Sequence, residues 1–537
     1  MNSNPPVILT AAMMRACDQY TIDTLGIPSQ ILMESAARCV GQVLTDRRDL
    51  FPTERILVLC GSGNNGGDGL ALARFLSDGT FGKCYEAMIL YLGPTTATGE
   101  PDTSRMSQEC ARQYHLSLSV GLQVQTADDA EELLRHATCV VDAVFGIGLD
   151  RPIAEPLTSV LNQVRSSKLP VLAVDIPSGI HADTGEILGV ALPAQATVTM
   201  QSLKAGLLLY PGTELCGEIF VCDIGISLTP VQKPYGYVAD DSVLRHVLLP
   251  RRRRTHKGTY GRLTLLCGST GMSGAAILAT QGALRSGVGL AHVVTSPENR
   301  TALQVAVPEA IVSTYETPDE ASRLDQGDAL VIGCGFGTTE GSERTLRAVL
   351  EGDRSGTRPT VVDADGLNLL ASRPSLWNTS LLSSRDKQAI ITPHPAEMAR
   401  ICGMAVQDVL QDLPGTARTF AQKQGVTVVL KDAHTVIASP DGSLFLCTAG
   451  NAGMATGGCG DVLAGVIGSL LVQNRHRLGK DLTVAEVAAA AVFLHASAGD
   501  LAAQDLGEYS VLPSDLINRI PLVCRTYSDT QTAIHFI

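Results

Sequence analysis

The chain is short of positive charge: 41 Lys and Arg stand against 54 Asp and Glu, a net charge of −13. So acidic a surface repels phosphate backbones, and no nucleic-acid partner is expected. The one basic cluster, Arg251 to Arg254, reads as a solvated linker. No apolar run approaches the roughly 20 residues that a membrane span needs, so no membrane association is expected. Met1 to Leu9 shows no basic stretch followed by a long apolar one, and no secretory signal is expected either. Among the 14 cysteines there is no C-x-x-C pair, which disfavours a zinc site or a disulfide framework. Cys60, Cys139 and Cys267 stand in apolar, strand-like runs and read as small buried hydrophobes. A reducing cytoplasm fits that usage.

What is present is globular. The 537 residues are 45% hydrophobic and 18% charged, too many for one core, so two large domains are expected. In the first half, Arg55–Cys60, Glu86–Leu92, Cys139–Phe145 and Val171–Ile176 are short apolar runs, each closed by Gly or Pro. Helical stretches lie between them. This alternation predicts right-handed βαβ crossovers and a parallel sheet. The pattern loosens near Val231 to Gly236 and then resumes with Arg262–Cys267, Ala329–Ile332, Thr360–Val362, Ala389–Ile391 and Val426–Leu430. Two three-layer αβα domains follow, 1–234 and 235–537, the first with a Rossmann-like parallel sheet. A buried, Ala-rich helix is expected over Thr483 to Ala498. Gly, Asp and His residues cluster after the strands, where ligands bind in such sheets.

The first strand-end loop, Gly61-Ser-Gly-Asn-Asn-Gly66, satisfies G-x-G-x-x-G, with Glu86 about twenty residues on, as in a dinucleotide dehydrogenase. Charge weighs against that reading. The loop continues Gly67-Asp68-Gly69, which sets a carboxylate near any pyrophosphate, and Asn64 and Asn65 add amides. A cation or the polar groups of a ligand suit this loop better. Asp142 sits in an apolar strand, where a carboxylate is unfavourable unless paired or coordinating. Asp175 leads Ile176-Pro-Ser-Gly179. Asn65, Asp142 and Ser178 are candidate hard-oxygen ligands for a cation; the alternative is that Asp142 and Asp175 merely cap backbone amides.

Near the other end, Asn451-Ala-Gly-Met-Ala-Thr-Gly-Gly-Cys-Gly-Asp461 precedes an apolar run, Val462 to Leu471, that reads as a helix. Backbone N–H groups gathered at a helix start stabilise phosphate oxygens. A carboxylate there makes sense as a base that takes a proton from a hydroxyl about to be phosphorylated. The alternative is a glycine-rich turn with Asp461 as a helix cap.

Asn64-Asn-Gly-Gly-Asp68, Asp142-Ala-Val-Phe-Gly-Ile-Gly-Leu149 and Val174-Asp-Ile-Pro-Ser-Gly179 together resemble the NAD(P)H-hydrate epimerases, over residues 8 to 230. The resemblance implies that Asn64, Asn65, Gly66, Gly67 and Asp68 contact the hydrated dinucleotide. So do Gly146, Ile147, Gly148, Leu149, Asp150, Arg151 and Pro152, together with Asp175, the candidate acid/base. It also implies that Asn65, Asp142 and Ser178 hold a potassium ion. Where the family tends to read Lys-Pro-Gly, this chain has Lys204-Ala-Gly206.

The second half resembles the ribokinase-like superfamily, and within it the ADP- or ATP-dependent NAD(P)H-hydrate dehydratases. The matching pieces are His256-Lys-Gly-Thr-Tyr-Gly261, Val361-Val-Asp-Ala-Asp-Gly-Leu-Asn368, Thr392-Pro-His-Pro-Ala-Glu397 and Thr456-Gly-Gly-Cys-Gly-Asp461, in the family's order. By this resemblance Asp461 is the catalytic base, and His394, Ala275, Gly335 and Gly337 face the hydrated dinucleotide. Lys431, Asp432, Ala433, His434, Thr435 and Gly460 hold the nucleotide. Glu397 and Asn368 are candidate partners of magnesium. His394, Glu397 and Lys431 also have plainer readings, as a loop histidine, a first-turn helix carboxylate and a surface lysine. Cys459 stands where the family usually has Ser, Cys334-Gly-Phe336 where it has Pro-Gly-Leu, and Asp432 where it has Gly. The expected protein is a bifunctional repair enzyme acting on NADHX and NADPHX, with ADP as co-substrate, and a homo-oligomer. The alternatives are a small-molecule kinase joined to a dinucleotide-binding module, and a nucleotide-sensing scaffold.

Overall fold

The computed structural model describes residues 5–527 apart from 249, 252, 353–357, 380, 381, 383–387 and 477–481. Arg252 of the arginine cluster therefore lies outside the described residues. The chain divides into two compact units, one spanning Pro6–Tyr235 and the other running from Gly236 onward.

The N-terminal unit is built on a seven-stranded sheet. Its order is Val124–Thr126, Glu86–Tyr91, Arg55–Cys60, Cys139–Ala143, Val171–Val174, Ala196–Met200 and Glu218–Cys222, all parallel. The inner strands read as continuous apolar runs because helices cover both faces, and Ile56 to Cys60 are all fully buried. Chain order reverses between Arg55–Cys60 and Cys139–Ala143, and the crevice beyond their carboxyl ends is where such sheets take ligands. The loop Gly61–Gly63 and helix Asn64–Ser77 leave one lip of that crevice, and the loop from Val144 leaves the other. The close fit depends on glycine. A Cβ on Gly66 would lie 1.9 Å from the Gly61 carbonyl oxygen, a backbone atom with nowhere to go. Gly66→Ala is expected to lower the stability of this unit by about 1–3 kcal/mol or more, read as a fall in its thermal midpoint; an unchanged midpoint would contradict the packing.

The C-terminal unit carries a larger sheet, ordered Ile311–Thr314, Leu290–Thr295, Arg262–Leu266, Ala329–Ile332, Thr360–Val362, Ala389–Ile391 and Thr427–Leu430 with parallel pairing. Thr435–Ala438 and Leu444–Cys447 then add antiparallel, and Gly236–Val238 pairs parallel with the latter. Helices Ser273–Arg285, Cys459–Arg475 and Val484–Leu506 pack together over one apolar core. The last of these is the buried, Ala-rich helix that the sequence predicts over Thr483 to Ala498, extended to Leu506. At 23 residues it is long and apolar enough by composition to cross a membrane, yet 67% of its apolar window is buried within the unit. Its Ala-rich sequence serves close packing on its neighbours. Of the arginine cluster, Arg251, Arg253 and Arg254 are exposed, as a solvated linker would be. Arg251 stacks 3.8 Å from the Tyr260 ring and donates to the Gly287 carbonyl and to Gln473.

Candidate active sites

In the N-terminal unit the sequence-selected residues meet at the crevice. Asp142 is fully buried at the end of its strand. Its carboxylate accepts from the Ser178 amide at 2.7 Å, the Ser178 hydroxyl at 2.6 Å and the Val144 amide at 3.3 Å. Burial raises its pKa, and the Ser178 bonds oppose the rise. Ser178 Oγ in turn accepts from Phe145 N at 3.0 Å, tying the two loops together. A Cβ built on Gly146 would lie 3.1 Å from both Asn65 Oδ1 and Asp175 Oδ2, so those oxygens converge on that glycine. Asn65 Nδ2 is a buried amide nitrogen without a hydrogen-bond partner.

Asp175 sits just past its strand with a left-handed backbone, φ 67°. Such a conformation is unfavourable outside glycine and concentrates at functional sites. Its carboxylate accepts from Lys204 Nζ at 2.6 Å and Thr199 Oγ1 at 3.2 Å. Lys204 is 1% exposed and also donates to Thr199 and to the Met200 carbonyl, so its ammonium is fully satisfied. Asp68, on the first turns of its helix, has a pKa raised well above the usual carboxylate range by burial, then by Asp175 and Asp18. The loop Gly146–Pro152 is divided: Leu149 is buried, Ile147 is half-buried, and Gly148, Asp150, Arg151 and Pro152 are exposed, as is Asn64.

In the C-terminal unit helix Cys459–Arg475 begins after Gly458, whose φ of +104° lets the chain turn sharply into it. No side chain caps this start, so Asp461 is in the first turn but not the N-cap. Burial and then Asp363 push the Asp461 pKa up to about 6, against the lowering effects of Cys334 and Lys431. Asp363, which the sequence reading passed over, is the hub. It is 2% exposed and accepts from Lys431 Nζ at 3.0 Å and Thr392 Oγ1 at 2.7 Å. Burial opposes the Lys431 charge, but Asp363 and Glu397 outweigh it and raise its pKa. A Cβ on Gly460 would lie 3.5 Å from Lys431 Nζ, so the glycine turn and the lysine adjoin. Lys431 is thus no plain surface residue.

Ala364 separates the two aspartates with φ 46° and ψ −115°, strained for an alanine. That turn sends Asp363 to Lys431 while Asp365 Oδ2 accepts from Gly337 N at 2.8 Å. Ala275 and Gly335 touch: a Cβ on Gly335 would lie 2.8 Å from the Ala275 Cβ. Cys334, next to Gly335, has its Sγ within 4.8 Å of carboxylate oxygens of Asp363 and Asp461, so these residues and the base share one site. His394 takes its plainer reading too. Its Nδ1 caps helix Pro395–Cys402, accepting from Ala396 N at 3.1 Å, while its amide donates to Glu397 at 2.9 Å. The ring remains 51% exposed, free to meet a ligand at its outer edge. Asn368 Oδ1 is engaged by Arg400. Asp432 and Ala433 are exposed; His434 and Thr435 are half-buried at the start of their strand.

Sequence reasoning met Lys204 only as part of Lys204-Ala-Gly206, without a role, and passed over His495. His495 is a buried residue of helix Val484–Leu506 whose Nε2 lies 3.0 Å from the Cys459 carbonyl. Burial lowers its pKa to about 4, the Cys459 carbonyl opposes the fall and Lys431 adds to it, so the ring is neutral near pH 7 and donates to that carbonyl. Lys204 offered one signal, its lone charge in an apolar stretch; Asp363 and His495 offered none before the elements were folded together.

Two α/β units, each with carboxylates and glycine turns at the carboxyl ends of parallel strands, define a two-site enzyme of the nucleotide-handling α/β class. Comparison with known proteins supplies the family. Residues 263–522 match the Carb_kinase model, described as NAD(P)H-hydrate dehydratase, and residues 29–206 match the YjeF-related protein N-terminus model. The chain is 34% identical to the bifunctional NAD(P)H-hydrate repair enzyme Nnr of Thermofilum pendens, over 95% of this chain and 95% of that protein. With the enzyme of the same name from Escherichia coli it shares 33%, over 96% and 94%. Among solved structures, the ADP/ATP-dependent NAD(P)H-hydrate dehydratase from Bacillus subtilis, co-crystallized with ATP/Mg2+, is 30% identical, covering 53% of this chain and 96% of that one, with a TM-score of 0.46. The chain belongs to the bifunctional NAD(P)H-hydrate repair enzyme family.

Proposed function

We propose that the C-terminal unit, from Gly236 onward, dehydrates the S form of NADHX or NADPHX at the expense of ADP, and that the N-terminal unit, Pro6–Tyr235, interconverts the R and S forms. The observation that carries this reading is Asp461, a base with a pKa near 6 set in the first turn of an uncapped, glycine-fronted helix beside Lys431.

A hydroxyl is a poor leaving group, whereas a phosphate ester beside the ring nitrogen departs readily as the nitrogen lone pair pushes. Asp461 takes the hydroxyl proton as that oxygen attacks the terminal phosphorus of ADP, releasing AMP. The amides of Gly457 to Gly460 stabilise the phosphoryl oxygens as charge builds there. Lys431, held by Asp363, meets the nucleotide phosphates. Loss of phosphate and of the neighbouring ring proton then restores the reduced nicotinamide. Ala275, Gly335, Gly337 and His394 would border the substrate.

In the N-terminal unit the carbon beside the ring nitrogen changes configuration through reversible breaking of a C–O or ring C–N bond with proton transfer. Asp175, oriented by Lys204 and Thr199, is the acid/base, and Asp68 is a neighbouring carboxyl biased toward its protonated form. Two carboxyls in unlike environments suit acid and base roles. The donor set of Asn65 Oδ1, Asp142 and Ser178 is all hard oxygen, the chemistry a potassium ion takes, so these residues would hold one. Bound, it would supply positive charge near the reacting ring. For magnesium, Asn368 is spent on Arg400, while the Glu397 charge reaches Lys431 and Asp363. Glu397 is therefore the fitting partner, and the ion would neutralise nucleotide phosphates.

The test is direct. Mixed-configuration hydrated NADH is supplied with ADP, and the reduced-nicotinamide absorbance is followed. Complete recovery is expected; recovery of about half would mean a dead epimerase. No recovery, with phosphorylation of a vitamin or sugar alcohol instead, would overturn the reading.

A further inference from the structure

The C-terminal site contains a donor set of a kind that proton and phosphoryl transfer do not require. Cys334 Sγ and one carboxylate oxygen each from Asp363 and Asp461 all lie within 4.8 Å of one another. Three separate elements deliver them: the turn after Ala329–Ile332, the end of Thr360–Val362 and the first turn of helix Cys459–Arg475. Cys334 and Asp363 are buried and Asp461 is half-buried. We propose that this triad is an inhibitory binding site for a thiophilic divalent cation, Zn2+ or Cd2+, whose capture withdraws Asp461 from its work as base. The inhibition rests on the function proposed for Asp461; the binding does not.

The chemistry of the donors selects the ion. One thiolate and two carboxylates supply three ligands and leave a fourth position open, an arrangement that suits Zn2+. Mg2+ demands an octahedral shell of oxygens and gains little from sulfur. Around zinc, bonds of about 2.0 to 2.3 Å set ligand atoms roughly 3.5 Å apart. The present spacing closes to that by modest side-chain rotation. Charge permits it: Lys431 occupies Asp363 Oδ1 at 3.0 Å, while Oδ2 lies toward the glycine turn, 3.8 Å from where a Cβ on Gly460 would sit. The Cys334 thiol stands beside the Asp461 and Cys267 side chains. A metal ion would take the place of the thiol proton, which leaves to water.

The site is tested on the full-length protein without ADP or hydrated dinucleotide. Cd2+ is titrated and the thiolate-to-metal charge-transfer absorbance recorded, with Zn2+ added afterwards as competitor and Mg2+ as control. Wild type is compared with Cys334→Ser and Asp363→Asn, each first matched to it by circular dichroism. Cys334→Ser is expected to lose one equivalent of the absorbance, and Asp363→Asn to bind that equivalent at least tenfold more weakly. Zn2+ should displace Cd2+ from wild type, and Mg2+ should give no absorbance. In the dehydratase assay, inhibition by Zn2+ relative to each variant's own metal-free rate should require at least tenfold more Zn2+ in Cys334→Ser. Superimposable Cd2+ titrations of wild type and Cys334→Ser would overturn the site. Altered titrations with no dehydratase activity in any preparation would leave the metal site standing and sink the function instead.

Discussion

Asp461→Asn is expected to lower the ADP-dependent recovery of reduced nicotinamide by about 10²–10⁴-fold, the range for loss of a positioned general base. The amide keeps the size of the side chain and cannot accept the hydroxyl proton. The wild-type enzyme carries a second mark of the same role. Because burial and Asp363 bring the Asp461 pKa to about 6, the carboxylate is protonated below that pH and ionised above it. The base form is the active one, so kcat/KM should fall about tenfold per pH unit below pH 6 and level off above it. In Asp461→Asn the residual rate should lose this limb. Epimerisation, which belongs to the other unit, should continue at the parental rate. Parental dehydratase activity in the variant, or a wild-type profile flat from pH 5 to 7, would sink the assignment.

Lys204→Met should act on the other unit alone. It strips the ammonium from Asp175 and leaves a carboxylate whose side chain is 12% exposed without its cation. Breaking a buried pair from one side costs about 3–5 kcal/mol, so the thermal midpoint of the N-terminal unit should fall. Epimerase activity should be lost with it, because Asp175 loses the group that orients it. A mixed-configuration substrate should then be recovered only to about half, since the dehydratase still consumes the S form. Lys204→Met with Asp175→Asn removes both charges and should restore much of the stability but none of the epimerisation. That separates a folding effect from a chemical one. Full recovery of mixed substrate by Lys204→Met would refute the role.

Much of the fold was legible along the chain because parallel strands buried on both faces announce themselves. Arg55–Cys60, Ala329–Ile332 and Ala389–Ile391 occupy the positions their apolar runs predict. Strand ends were read slightly long, as at Cys139–Phe145, where pairing stops at Ala143 and the chain turns into the crevice. Helix Val484–Leu506 runs well past the Ala-rich run that revealed it, with Gln504, Asp505 and Leu506 exposed at its end. Arg251, Arg253 and Arg254 face water, as charge runs usually do, and Arg251 also docks on Tyr260 and the Gly287 carbonyl.

The sequence by itself determined where the proposed site residues stand in the fold: Asn65, Asp142, Asp175, Lys431 and Asp461 sit where strand ends and helix starts must place them. Local propensity and the βαβ rule suffice for that, since both act over a few residues. Tertiary structure alone decided the partners: Lys204 on Asp175, Asp363 on Lys431, His495 on the Cys459 carbonyl and Cys334 on Asp461. These pairs span from 29 to 127 residues of chain. A buried charge finds its counter-charge through the packing of whole elements, and no local pattern records which one it will meet.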